Sequence, residues 1–144
     1  SRGLGDVYKR QPEDYVKGNE NILYPKWEKG HYKGGIGEYD RLEQARKINR
    51  EAADASASWG MFQIMGFNYA ACGEESIESF VRSMCESEFK QLLLTANFIK
   101  KNSQMLQALQ ARDWAVFAKC YNGPAYAQNR YDVKLEAAYQ KYSL

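Results

Sequence analysis

No stretch of this chain is apolar for anything near the roughly 20 residues that a membrane-spanning helix needs, and no charged segment followed by an apolar one marks a signal peptide. The expectation is a chain with no membrane segment and no export signal of its own. Charge of one sign is also missing. Lys and Arg number 20 against 18 Asp and Glu, a net charge of +2, and the two signs are interspersed. That balance leaves no basic footprint for nucleic acid. Histidine is scarce: His31 is alone, cannot anchor a histidine-based metal site, and beside Tyr32 and Lys33 reads as a surface-loop residue rather than a general base. Cysteine is limited to Cys72, Cys85 and Cys120, an odd number without CxxC spacing, each among apolar neighbours. The reading is three buried, unbonded thiols made in a reducing cytosol, with no disulfide framework, no metal and no cofactor.

What is present is enough apolar material for one globular domain: 144 residues, 44% hydrophobic and 14% aromatic. The densest stretch is Ser58-Trp59-Gly60-Met61-Phe62-Gln63-Ile64-Met65-Gly66. A core segment would leave out the amide, because a buried Gln must satisfy up to four hydrogen bonds. Two readings of Gln63 stand side by side. It is the polar contact in an aromatic-walled groove, where a sugar ring stacks and its N-acetyl group is hydrogen-bonded, or it sits in a buried amphipathic turn and bonds to backbone.

Around this stretch the chain reads as follows. Residues 1–11 have no apolar periodicity, and residues 6–11 are what the transposon end used in sequencing libraries encodes; the segment reads as a non-native tail, with the natural chain cut upstream of Pro12. Residues 12–37 are rich in turns and aromatics and read as a surface wrap. From Glu38, the spacing of Tyr39, Leu42, Ala45, Ile48 and Ala52 predicts one helix that ends before Ser58. Ser76 is expected to cap the longest helix, through Ile77, Phe80, Val81, Met84, Leu92, Thr95 and Ile99, with Phe80, Val81, Met84 and Leu92 as its buried stripe and Glu88 as a candidate buried carboxylate. Asn102 and Ser103 open a short helix, and Asp113 caps another that Gly123-Pro124 stops. A last helix runs from about Ala127 to Tyr142, with Tyr131, Leu135, Ala138, Tyr139 and Tyr142 on one face. No convincing strand is visible. The class is mainly α.

Two motifs, Gly60-Met61-Phe62-Gln63-Ile64 and Phe117-Ala118-Lys119-Cys120-Tyr121-Asn122-Gly123, resemble in that order the lysozyme-like superfamily of goose-type lysozymes and lytic transglycosylases. The resemblance is closer to the N-acetylmuramidase domain of phage and bacterial endolysins. It extends to Tyr24-Pro25-Lys26-Trp27, Glu38-Tyr39-Asp40-Arg41-Leu42, residues 57–69, Asp113-Trp114, Tyr121-Asn122-Gly123-Pro124 and Tyr131-Asp132-Val133-Lys134-Leu135, and so covers roughly residues 12–144.

This resemblance implies a lysozyme-like helical domain that cleaves the β-1,4 bond between N-acetylmuramic acid and N-acetylglucosamine, which requires a carboxylic acid of raised pKa. It implies glycan contacts by Ser58, Trp59, Gly60, Met61, Phe62, Gln63, Met65, Tyr121, Asn122, Gly123 and Tyr126, with Gly60 admitting close backbone approach. Tyr121 would orient the acid, and Gln63 and Tyr121 would meet around one sugar. In the superfamily the acid is a Glu ending an N-terminal helix and followed by Ser. No such pair precedes Ser58 here, so the expectation is a partial domain, residues 12–144, whose acid lies upstream of Pro12. Glu38 and Asp40 are the nearest candidates for a second carboxylate, against a reading as a solvated helix start. The partners implied are peptidoglycan strands for a monomer made in the bacterial cytosol and acting on the wall. Hydrolase and lytic transglycosylase both stay open. So does a non-catalytic peptidoglycan-binding module; a plain helical interaction domain would make both motifs coincidence.

Overall fold

The computed structural model describes residues 16–23, 30 and 34–143. The tail 1–11, His31 and half of the aromatic wrap, its Tyr15, Tyr24, Trp27 and Tyr32 included, lie outside the described residues. The chain forms two compact units, Ser1–Thr95 and Ala96–Leu144.

In the first unit, helix α1 (Gly37–Ile48) begins where Gly34 N–H donates to Glu38 Oε1 at 3.0 Å. The other oxygen of Glu38 accepts from Arg41 at 2.7 Å. Arg41 is only 1% exposed, and its second terminal nitrogen donates to the Asn21 carbonyl at 3.0 Å. One guanidinium thereby ties α1 to the turn at 16–23, whose Ile22 and Leu23 are fully buried. The helix expected to continue to Ser58 is instead two. Asn49 is extended (φ −156°, ψ 107°), and its side chain caps α2 (Arg50–Ser56) by accepting from Ala52 N–H at 2.9 Å. An Asn inside a helical pattern offers the backbone an alternative partner, and here that alternative wins.

The long helix is divided in the same way. Ser76 and Ser79 cap α3 (Ile77–Glu86) reciprocally, as the Ser76 signal predicted. The helix stops at Ser87, which is extended (φ −166°, ψ 160°) and whose hydroxyl accepts from Lys90 N–H as α4 (Glu88–Lys101) begins. The break resets the helical phase, so the stripe of Phe80 and Met84 does not continue to positions 88 and 92. Glu88 is exposed, and Leu92 is 51% exposed; the buried face of α4 carries Leu94 and Thr95. Leu94→Ala is therefore expected to cost about 2–5 kcal/mol, and Leu92→Ala within about 0.5 kcal/mol. Denaturant unfolding of the two variants checks this, and the reverse order would place the core on the wrong face of α4.

Two strands, too short to alternate visibly in sequence, form a hairpin: β1 (Ser58–Trp59) runs antiparallel to β2 (Ile64–Met65), and a 3-10 turn, Gly66–Asn68, follows. The expectation of no strand is corrected to this extent.

In the second unit, Asn102 caps α5 (Ser103–Ala111) and Asp113 caps α6 (Trp114–Asn122), each accepting from the backbone N–H three residues on. Both were legible as capping signals. Met105, Ala108 and Phe117 form the unit's core, with Phe98, Ile99, Leu109, Val116, Cys120, Tyr121 and Leu135 against it. The last helix, α7 (Tyr131–Tyr142), starts later than Ala127, because Pro124–Asn129 winds as a 3-10 helix and Arg130 turns left-handed (φ 52°). Its aromatic face is half-buried at Tyr131 and Tyr139 and exposed at Ala138 and Tyr142. Among the described residues, no helix is long and apolar enough to cross a membrane.

Candidate functional site

The hairpin presents the residues that the sequence singled out. Its strands pair Ser58 with Met65 and Trp59 with Ile64, and the four residues between turn through Gly60 (φ 70°) and Gln63 (φ 54°). A left-handed non-glycine residue is uncommon, and here local bonds hold it: Gln63 N–H donates to the Gly60 carbonyl at 3.3 Å and Gln63 Nε2 to the same oxygen at 2.9 Å. Gln63 is exposed, so it is not a buried amide in search of partners. Its side chain braces the turn and stays accessible to solvent. Met61 is 56% exposed, Phe62 and Met65 are half-buried, and the Ser58 hydroxyl lies 3.1 Å from Met65 Sδ. The outward face of the turn is thus thioether and carboxamide, chemistry that suits an acetamido sugar.

Trp59 turns the other way. It is 8% exposed, its indole N–H donates to the Asp54 carbonyl at 2.9 Å, and the Arg46 guanidinium lies 5.7 Å from its ring centroid. The expectation of Trp59 as a groove wall gives way to a support beneath the hairpin, since a bulky indole next to the α2 carbonyl gains both burial and a partner for its N–H. Gly60 also has a different reason from the one expected. A side chain there would meet Gln91 Oε1 at 2.8 Å and Met84 Sδ at 3.0 Å, so the missing Cβ makes room for the protein's own α3 and α4. Gln91, which the sequence did not single out, accepts from Met61 N–H at 2.9 Å and donates to the Met84 carbonyl at 2.9 Å. Its only signal was a carboxamide one turn before Thr95 on the buried face of α4. Gly66 closes the hairpin by donating to the Ala57 carbonyl at 2.9 Å, and a side chain there would run into the Asp54 carbonyl oxygen and Ile77 Cδ1.

Several carboxylates among the described residues are committed to partners. Asp54 is buried and accepts from Arg46 Nε at 2.6 Å; Arg46 bonds Glu43 at 2.6 Å, and Arg50 Nε lies 4.0 Å from the other Asp54 oxygen. Burial alone would lower the pKa of Arg46, but its bonds to Asp54 and Glu43 more than offset this and raise it. Asp54 also lines a cavity of about 330 Å³ with Arg50, Glu78, Val81 and Arg82. Glu38 is engaged by buried Arg41, and Asp40 is exposed. Among the described residues, the Glu74 carboxyl is lowered chiefly by the Ser83 hydroxyl and that of Glu20 by the Gly18 N–H, the wrong direction for a general acid. Among the described residues, no group of His, Cys, Asp and Glu is placed to hold a metal.

The second motif closes α6. Tyr121 is half-buried, stacked on Phe117 at 5.7 Å and edge-on to Phe98 at 6.0 Å. Asn122 is exposed, Gly123 takes φ 85° to end the helix, and Tyr126 is half-buried in the 3-10 segment that follows. Gln63 belongs to the first unit and Tyr121 to the second, and each is placed within its own.

All three cysteines are free thiols, but only Cys72 is buried; Cys85 is exposed and Cys120 half-buried. Cys85 follows buried Met84 within α3 but is itself exposed, which corrects the expectation of three buried thiols. Burial, aided by the charge of Glu74, pushes Cys72 up to about 11. At pH 8, only about one Cys72 in a thousand is then thiolate. Brief alkylation at that pH should label Cys85 and spare Cys72 until the protein is denatured, as mass spectrometry of the peptides would show. Equal labelling of the two in the native protein would contradict this placement.

The family model for Muramidase, described as N-acetylmuramidase, matches residues 1–143. No curated protein matches the chain. Among solved structures, the crystal structure of a Burkholderia AP3 phage endolysin is 38% identical, with a TM-score of 0.85 over 97% of this chain and 53% of that one. The chain spans about half the length of that endolysin. With a helical fold shared with a phage endolysin and a family match over nearly its whole length, the chain belongs to the N-acetylmuramidase family.

Proposed function

We propose that this chain is the peptidoglycan-cleaving domain of an endolysin, acting on the β-1,4 bond between N-acetylmuramic acid and N-acetylglucosamine. The observation that carries the reading is the hairpin at 58–66. In a chain of muramidase family it exposes Met61 and Gln63 on a turn fixed from beneath. Met61, Phe62 and Gln63 contact the glycan, with Ser58 and Met65 at the strand ends. Trp59 and Gly60 act by shaping the turn. From the second unit, Tyr121, Asn122, Gly123 and Tyr126 contribute glycan contacts. The general acid comes from sequence N-terminal to Pro12; what supports this is that Glu38, Asp54 and Glu74, three of the less exposed described carboxylates, are each held by a cation or a hydroxyl. Glu13, Asp14 and Glu28 lie outside the described residues. The protein is made in the bacterial cytosol and works on the wall as a monomer. Product analysis tests the reaction. Peptidoglycan digested by the chain extended with the proposed upstream segment should show new reducing ends on N-acetylmuramic acid; anhydro-muramic ends would make the enzyme a lytic transglycosylase, and reducing ends on N-acetylglucosamine would refute a muramidase.

A further inference from the structure

The turn that exposes Met61 and Gln63 is not held by its own two-residue strands alone. One side chain from another element grips it. Gln91 in α4 accepts from Met61 N–H at 2.9 Å through Oε1 and donates to the Met84 carbonyl at 2.9 Å through Nε2. Both partners are backbone groups left over by local structure. Met61 N–H lies in the turn, outside the strand ladder, and the Met84 carbonyl lies in the last turn of α3, where the extended Ser87 denies it the next helical N–H. Among side chains of this length, a carboxamide supplies one acceptor and one donor at its tip, and only one orientation of it suits an N–H on one side and a C=O on the other. Gly60 completes the fit, because a Cβ there would lie 2.8 Å from Gln91 Oε1. The backbone of α4 holds Gln91 in turn through its N–H to the Ser87 carbonyl and its carbonyl to the Thr95 hydroxyl.

We propose that Gln91 is the positioning residue of the glycan-binding turn: it touches no sugar, and it sets the presentation of Met61 and Gln63 by clamping the Met61 N–H to the end of α3. This rests on the proposed glycan reading of the hairpin. Losing the clamp frees the turn without removing any glycan contact, so affinity falls while the fold stays.

The test uses the whole chain with a β-1,4-linked hexamer of N-acetylglucosamine as probe, read by calorimetry, and amide hydrogen exchange at Met61 read without ligand. Gln91→Met removes both bonds at similar length. It should speed Met61 exchange and weaken hexamer binding about tenfold, the scale of one lost hydrogen bond, with the helical circular dichroism unchanged. Gln91→Glu keeps the acceptor and loses the donor. It should leave Met61 protected and weaken binding less, and it decides the question if Gln91→Met does not fold. Full affinity in a folded Gln91→Met protein whose Met61 exchanges freely would overturn the proposal, as would unchanged Met61 exchange. A wild-type chain that does not bind the hexamer would defeat the glycan reading and this proposal together, while the exchange data would still report whether the clamp exists.

Discussion

Gly66→Ala is expected to destabilise the protein by about 3 kcal/mol, at the upper end of what overpacking a rigid site costs, and to lower the Tm by roughly 10 °C. The methyl would have no direction in which to go. It would run into the Asp54 carbonyl oxygen, and it would stand 2.8 Å from Ile77 Cδ1. The carbonyl cannot retreat, because it also accepts the Trp59 indole N–H at 2.9 Å from within the buried α2–hairpin contact. Nor can Gly66 shift outward without giving up its own N–H bond to Ala57. Gly60→Ala makes the contrast. Its nearest obstacle is the tip of Gln91, which can swing aside at the loss of its bonds to Met61 and Met84, so its stability cost should be about 2 kcal/mol, the left-handed alanine and those bonds together, still below that of Gly66→Ala. Thermal and denaturant unfolding of the two variants measure the difference. A Gly66→Ala protein within about 0.5 kcal/mol of wild type would mean that the hairpin does not sit against α2 as described.

Legibility in the sequence followed how local each determinant is. Ser76, Asn102 and Asp113 were readable as caps, since a capping side chain bonds only three residues along. Asn49 and Ser87 are polar residues of the same capable types, yet each sits within an unbroken apolar spacing, and periodicity alone carried the helices through them. The Leu92 and Glu88 expectations failed with that break, because the face a residue takes depends on the phase set at the helix start. The hairpin was readable as a special stretch but not as strands, since two residues cannot show an alternation. Trp59 and Gly60 were assigned to the ligand because their true neighbours, Asp54, Arg46, Met84 and Gln91, come from other helices. Gln91 offers only the carboxamide one turn before Thr95 as a signal, because its partners too lie on other elements.

A second large effect concerns catalysis. With the acid upstream of Pro12, as proposed, residues 1–144 are expected to bind cell walls weakly and not to clear them, and an extended chain that carries the proposed upstream segment should clear them, a gain on the order of 10²–10⁴-fold from general acid catalysis. Groove contacts supply orientation, but the glycosidic oxygen leaves poorly unless a proton reaches it. Three of the described carboxylates are already engaged within the protein. Glu38 is engaged by Arg41 and Asp54 by Arg46, and Glu74 is lowered by Ser83. Changing the helix-terminal Glu of the restored segment to Gln should abolish clearance with the fold intact. Robust clearance by residues 1–144, lost on mutating Glu20, Glu28, Glu38 or Asp40, would place the acid inside this sequence instead.

The claim beneath all of this is that the turn at 60–63 is where the glycan binds. Amide chemical shifts recorded while the hexamer of N-acetylglucosamine is titrated into the wild-type chain test it most directly. The Met61, Phe62 and Gln63 amides of the first unit should move together, Gln63→Ala should weaken hexamer binding, and the amides around buried Trp59 should move less. Shifts that leave 60–63 still, and gather instead around the cavity of Arg50, Glu78 and Arg82, would contradict it.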